Sequence, residues 1–100
     1  MDTLNVMIHA PTPEALHRAQ ANTRNLLKLE PDANIELVVN GPAAAVAVGI
    51  VDAEILGRLV LCQNSLDKQN LTAQDGARVV PAAVQHLARQ QQQGWGYIRA

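Results

Sequence analysis

Short β-rich segments alternate with helical patterns along the whole 100-residue chain, and this alternation constrains the fold more than any single motif does. The predicted strands are residues 4–9, 35–39, 59–62, 77–80 and 95–99. The predicted helices are residues 13–29, 43–56, 65–71 and 82–92. Such alternation is typical of a parallel sheet. We therefore predict an α/β fold, a flavodoxin-like open sheet of five mostly parallel strands with helices on both faces.

Local signals predict where the helices begin and which side chains they bury. Thr12 is a good N-cap before Pro13 in the first helix, and Gly94 suits the position after the last helix. The side chains expected to be buried by the second helix are Val46, Ile50 and Ala53. Those expected to be buried by the last helix are Val84, Leu87 and Ala88.

Composition limits the classes of function. Residues 1–100 form one domain, and the net charge of −1 comes without a basic tract, which argues against binding of nucleic acid or an anionic membrane. No apolar run reaches the roughly 18 residues that span a bilayer, and no export signal is visible, so we expect a cytoplasmic protein. Nucleotide-binding glycine motifs and metal-ligand spacings are absent. We predict no cofactor and no metal.

The segment Arg58–Leu66 contains the only cysteine, Cys62, where an apolar run changes to polar residues. We expect a buried strand to end at Cys62, and Asn64 and Ser65 to begin the next helix. A thiol before a helix N-terminus is stabilised as the thiolate, the nucleophilic form. Burial would oppose this and raise the pKa. The alternative is an inert, half-buried thiol.

Ligands of open α/β sheets bind beyond the carboxyl ends of the strands, where the strand order reverses. In the flavodoxin-like order this point lies between the first and third strands. His9 and Cys62 would then be neighbours, and Asn40 would lie one strand away. His9 could serve the thiol as a base, and Asn40-Gly41 could offer an amide to an anion. A hydrogen-bonded strand-end histidine and a plain turn are the structural alternatives.

The ordered set of motifs resembles the DsrE/DsrF-like proteins of intracellular sulfur relay, in their small single-domain branch. The motifs are Asn40-Gly41-Pro42, Cys62-Gln63-Asn64-Ser65-Leu66, Val79-Val80-Pro81-Ala82 with Val84, and Gly94-Trp95-Gly96-Tyr97-Ile98-Arg99. The resemblance implies a flavodoxin-like fold and homo-oligomers or hetero-oligomers, often trimers or hexamers. It also implies that Cys62 accepts and passes on persulfide sulfur, with donor and acceptor proteins as partners.

Three functions therefore remain open at this point. The first is sulfur relay through Cys62, supported by His9, Asn40, Asn64 and Ser65. The second is a non-catalytic, oligomeric binding or scaffold module. The third is a pocket for a small anion or cofactor without covalent chemistry. Whether the protein is an enzyme stays open. Because Ala43–Val51 is almost entirely apolar, we expect it to form part of an oligomer interface.

Overall fold

A computed structural model describes residues 2–100; Met1, the first residue of the predicted domain, lies outside the described part. The strands are β1 Asn5–Ala10, β2 Asn34–Val39, β3 Leu59–Cys62, β4 Arg78–Val80 and β5 Gly96–Arg99. The helices are α1 Pro13–Leu29, α2 Ala43–Ala47, α3 Ala53–Leu56, α4 Gln63–Lys68 and α5 Ala83–Gln92. Helices cover both faces of the sheet. The predicted class, an α/β open sheet of the flavodoxin-like kind, is confirmed.

The five strands form one sheet in the order β4-β3-β2-β1-β5, and every neighbouring pair is parallel. The predicted reversal between the first and third strands is therefore wrong. The chain steps from β1 to β4 in one direction and then returns to place β5 on the other side of β1. The reversal lies between β1 and β5, and β2 separates His9 from Cys62.

The direction of the steps explains how the helices are distributed. Three right-handed crossovers in the same direction put α1 to α4 on one face, and the single return crossover puts α5 on the other. The first face, which we call the broad face, has an aliphatic core that includes Leu16, Leu37, Ile55, Leu61 and Leu66. The second, which we call the α5 face, has a smaller cluster that consists of Met7, Val38, Val60, Cys62, Val80 and Ala83, with Leu87 and Trp95 packed against it.

Helix α1 begins as its sequence predicts. The Thr12 hydroxyl accepts a hydrogen bond from the Ala15 amide at 3.1 Å, and Pro13 is the first helical residue. This arrangement satisfies one of the free amides of the first turn, and the proline sacrifices no hydrogen bond there. The buried residues Leu16, Ala19 and Thr23 then face the sheet.

The predicted helix over residues 43–56 is instead two short helices, α2 and α3. The Gln74 side chain donates to the carbonyls of Ala47 and Ile50 at 2.8 and 2.9 Å, which satisfies carbonyls where α2 ends. Asp52 then caps α3 by accepting from the Glu54 amide. Because the helical phase is broken, only Ile50 of the predicted stripe packs against the core, where it is partly buried. Ala43, Ala44, Ala47 and Ile55 are buried, whereas Val46 and Ala53 are exposed.

The orientation predicted for the last helix is also corrected. Val84 is 76% exposed and Ala88 is exposed, whereas Ala83 is buried and Leu87 packs against the cluster on the α5 face. His86 and Gln90 also point to the sheet, where Glu36 of β2 binds both side chains. A polar contact thus sets the rotation of α5. Gly94 follows the helix with φ of +88°, as predicted for that position.

Candidate functional site

Cys62 is the last residue of β3 and directly precedes α4, so its thiol lies at the carboxyl edge of the sheet. The side chain is on the α5 face, beside Val80 and Ala83, and the residue is 6% exposed. Helix α4 begins at Gln63, earlier than the predicted Ser65. Asn64 and Ser65 therefore belong to its first turn and do not cap it. Cys62 itself is the N-cap residue of α4.

Hydrogen-bond donors surround the sulfur despite its burial. The Ala83 amide, in the first turn of α5, donates to Sγ at 3.4 Å. Burial raises the pKa of the Cys62 thiol. Hydrogen bonds from the Ala83 amide, the Ser65 hydroxyl and the amides of Ser65 and Asn64 outweigh it, and hold the pKa below its ordinary value. The thiolate is thus favoured by fixed dipoles from the first turns of two helices.

Ser65 is itself held in place by the loop after β2. Its hydroxyl oxygen accepts from the Gly41 amide at 2.9 Å, which leaves the hydroxyl proton for the thiol. Gln69 donates to the carbonyls of Gly41 and Ser65 and so ties the loop to α4. Gly41 has φ of +58°, and a Cβ there would lie 3.1 Å from the Pro11 carbonyl oxygen. A larger residue would displace the loop that orients Ser65.

His9 and Asn40 form a separate hydrogen-bonded group with Tyr97, which sequence reasoning missed. His9 Nε2 lies 2.9 Å from Asn40 Oδ1, and Nδ1 lies 2.7 Å from the Tyr97 hydroxyl. Since Asn40 Oδ1 can only accept, Nε2 carries a proton, and in the neutral ring Nδ1 accepts from the Tyr97 hydroxyl. Both ring nitrogens are occupied. His9 lies two strands from Cys62, roughly 10 Å by strand spacing, and therefore does not hydrogen-bond directly to the thiol.

A second polar group missed by sequence reasoning lies under α5. Glu36 is on the α5 face of β2, and its side chain is 14% exposed. One carboxylate oxygen accepts from His86 at 2.7 Å and from Gln90 at 3.1 Å, and the other accepts from Arg78 at 3.2 Å. The only sequence signal was a charged residue at an inward position of an apolar strand. Its partners are 42 or more positions away along the chain.

Across residues 2–100 no group of three histidine, cysteine or acidic side chains is placed to hold a metal ion. The Gly41 amide, which the sequence suggested for an anion, is occupied by Ser65. The same part of the chain contains no helix with the length and apolar character to cross a membrane.

The fold is shared with a solved structure, whereas sequence comparison identifies no relative. No family model matches the chain, and no curated protein matches it. The chain is similar to a protein of unknown function, MTH1491 from Methanobacterium thermoautotrophicum, at 25% identity and a TM-score of 0.85. The match covers 97% of this chain and 99% of that one. The two proteins therefore share one architecture over almost their entire lengths.

Proposed function

We propose that this protein is a sulfur carrier of the relay type, and that it carries the transferred sulfur as a persulfide on Cys62. In the proposed step the Cys62 thiolate attacks the outer sulfur of a donor persulfide. A new S–S bond forms at Cys62, the donor's S–S bond breaks, and the donor leaves as a thiolate. The sulfur atom moves between thiols without an external oxidant or reductant. An acceptor protein would then remove it by the reverse chemistry.

The hydrogen bonds to the Cys62 sulfur are the observation that carries this proposal. Only the thiolate attacks sulfur, and the Ala83 amide and the Ser65 hydroxyl both favour that form. The same donors can bind the terminal sulfur of a persulfide, which is also an anion near neutral pH. Ser65 acts as a positioning residue here, because the Gly41 amide fixes its oxygen.

The position of α5 determines access to the sulfur. Ala83 is in contact with Cys62, and the residue is 6% exposed. Transfer therefore requires the first turn of α5 to move away from the sheet. Ala82, which precedes the helix, provides no side-chain hydrogen bond to cap it. Ala83 is the only fully buried residue of α5, so few apolar contacts oppose such a movement.

A binding module without covalent chemistry is the second candidate, and one observation favours it. A cysteine residue that stays 6% exposed offers its thiol to no donor, and the hydrogen bonds to the sulfur would then be structural. In that case Cys62 is a packed residue of the smaller cluster. The third candidate, an anion pocket at Asn40-Gly41, is disfavoured because Ser65 already accepts from the Gly41 amide.

Mass spectrometry after treatment with a persulfide donor separates these candidates. We expect the folded protein to gain the mass of one sulfur atom, which dithiothreitol removes, and Cys62→Ser to gain none. The matched reference is Cys62→Ser combined with Val84→Cys, which places a thiol at a position that is 76% exposed on α5. If Cys62 gains sulfur only in denaturant while this reference reacts in the native state, the carrier proposal fails and the binding module remains.

We also propose that the protein works as a homo-oligomer, for which the resemblance to the relay family implies a trimer or a hexamer. Ala43–Val51 contributes less to such an interface than its sequence suggests. Three of its alanines are buried within the chain, and Val46 and Val51 are its exposed large side chains. All four residues of strand β5 are exposed, including the large side chains of Tyr97 and Ile98.

A further inference from the structure

The outer edge of β5 has the features of an interface between two copies of the chain. β5 pairs with β1 on one side, and no strand of residues 2–100 pairs with it on the other. All four of its residues are exposed, including Tyr97 at 42% and Ile98 at 47%. An uncovered edge strand offers unpaired amides and carbonyls to another strand.

The register with β1 shows which peptide groups point outward. Val6 aligns with Gly96 and His9 with Arg99, and the Ala100 amide donates to the His9 carbonyl. In a parallel ladder, alternate residues direct both their N–H and C=O to the same neighbour. Residues 96, 98 and 100 therefore bond to β1. Tyr97 and Arg99 direct their amides and carbonyls away from the molecule.

The side chains on this edge differ between the two faces. Tyr97 and Arg99 lie on the α5 face, and the Tyr97 ring is fixed by its hydrogen bond to His9. Ile98 lies on the broad face, beside an open groove of about 710 Å³. Its lining combines apolar residues with polar ones: Leu4, Val6, Leu26, Tyr97 and Ile98, and Asp2, Thr3 and Asn5. Helix α1 leaves this part of the sheet uncovered.

We propose that two copies of this chain associate through β5, antiparallel, about a two-fold axis that passes beside Ile98. Tyr97 and Arg99 of one copy would exchange backbone hydrogen bonds with Arg99 and Tyr97 of the other, which gives four bonds. Each Arg99 guanidinium would lie beside the other copy's Tyr97 ring, a favourable cation–π pair. The two Ile98 side chains would meet on the broad face and extend into the groove.

Charge excludes the neighbouring register on the same edge. An axis beside Arg99 would place the two guanidinium groups opposite each other, and like charges at opposed positions destabilise a strand pair. An axis beside Tyr97 would align Arg99 with Trp95, which precedes β5 and whose amide already donates to the Gln90 carbonyl. The Ile98-centred pairing uses every outward amide of the strand. This interface needs no chemistry at Cys62. Its two-fold contact fits a dimer, or a hexamer with dihedral symmetry, but not a closed trimer.

Disulfide cross-linking tests the axis. In a Cys62→Ser background, Ile98→Cys would place one thiol of each copy at directly opposite positions of the two antiparallel strands. Opposite residues that do not hydrogen-bond to each other have Cα atoms about 4.5 Å apart. That distance lies within the range for a disulfide. We expect rapid oxidation to a species of twice the 10.8 kDa chain mass. The control, Val84→Cys in the same background, is also exposed but lies on α5. Cross-linking of Ile98→Cys no faster than this control would overturn the proposal.

Sedimentation of the otherwise unaltered chain tests the backbone pairing. Arg99→Pro removes an outward N–H and keeps the bonds to β1, and Arg99→Ala retains the N–H as its control. We expect Arg99→Pro to weaken dimerisation roughly 10- to 100-fold, because each dimer loses two hydrogen bonds. Circular dichroism verifies that both variants are folded. A monomer at all concentrations refutes self-association altogether. An oligomer that Arg99→Pro leaves unchanged refutes β5 as the interface but not the oligomer.

Discussion

The two faces of the sheet are built from different interactions. The broad face is covered by four helices and is held mainly by aliphatic side chains; its buried polar residue, Thr23, bonds to the Ala19 carbonyl of its own helix. The α5 face is covered by one helix, and it contains the thiol, the His9–Asn40–Tyr97 group and the Glu36 group. Apolar packing thus provides stability on one side, while polar contacts position the candidate site on the other.

The difference predicts unequal responses to truncation. Leu61→Ala on the broad face should lower the free energy of unfolding by about 2–5 kcal/mol, because Leu61 is fully buried in the aliphatic core. Val84→Ala on α5 should change it by less than about 0.5 kcal/mol, because that side chain is 76% exposed. Urea unfolding of both variants measures this. Equal losses would contradict the burial of Leu61 in the core of the broad face and the exposure of Val84 on α5.

The carboxylate under α5 should have an intermediate effect. Glu36→Gln keeps the shape of the side chain but removes the charge that Arg78 and His86 contact. Because the partners of a largely buried charge are then left unsatisfied, the free energy of unfolding should fall by about 1–3 kcal/mol. Glu14→Gln, on the exposed first turn of α1, is the control. If the two variants unfold alike, Glu36 does not hold α5 to the sheet.

The same contact should affect access to the thiol. If Glu36 holds α5 in place, Glu36→Gln should increase the rate at which iodoacetamide labels Cys62 in the native protein. The helix would then leave the sheet more often. Glu14→Gln should leave the rate unchanged. A rate that Glu36→Gln does not alter would show that access to the sulfur is independent of α5.

Truncation of Tyr97 should have a smaller effect than the changes at Leu61 and Glu36. Tyr97→Phe removes the hydroxyl that donates to His9 and leaves one ring nitrogen to water. We expect a loss of about 0.5–1.5 kcal/mol, since this is one hydrogen bond at a partly exposed site. Thermal unfolding at fixed pH measures it. A decrease in the free energy of unfolding as large as that of Leu61→Ala would mean that the His9–Asn40–Tyr97 group stabilises the whole sheet.

Local patterns predicted the elements of this fold, and distant pairings determined the rest. Thr12-Pro13 and the apolar run before Cys62 act through neighbours in sequence, so the start of α1 and the end of β3 were predictable. The order of the strands depends on which strands pair, and no local pattern encodes that. For the same reason His9 was placed beside Cys62, although β2 lies between them.

The candidate site shows the same limit in detail. Cys62 was identifiable as a thiol before a helix, and the amides of Asn64 and Ser65 both act to lower the pKa of the thiol. Its other donor, the Ala83 amide, is 21 residues away, and the Gly41 amide that fixes Ser65 is 24 residues from it. The break between α2 and α3 likewise depends on Gln74, a distant side chain.

Titration of the Cys62 thiol in the folded protein, by its ultraviolet thiolate absorbance, tests most directly whether hydrogen bonds outweigh burial. We expect a pKa below the ordinary value of about 8.5, and a higher pKa in Ser65→Ala, because that variant removes a donor to the sulfur. A lowered folded-state pKa means that the unfolded chain binds more protons between the two pKa values. The free energy of unfolding of the unaltered protein relative to Cys62→Ser should therefore rise with pH across that interval. This contribution of the thiolate should be lost as pH falls through the folded-state pKa. A pKa at or above 8.5 that Ser65→Ala leaves unchanged would show that burial prevails and that Cys62 is not a poised nucleophile.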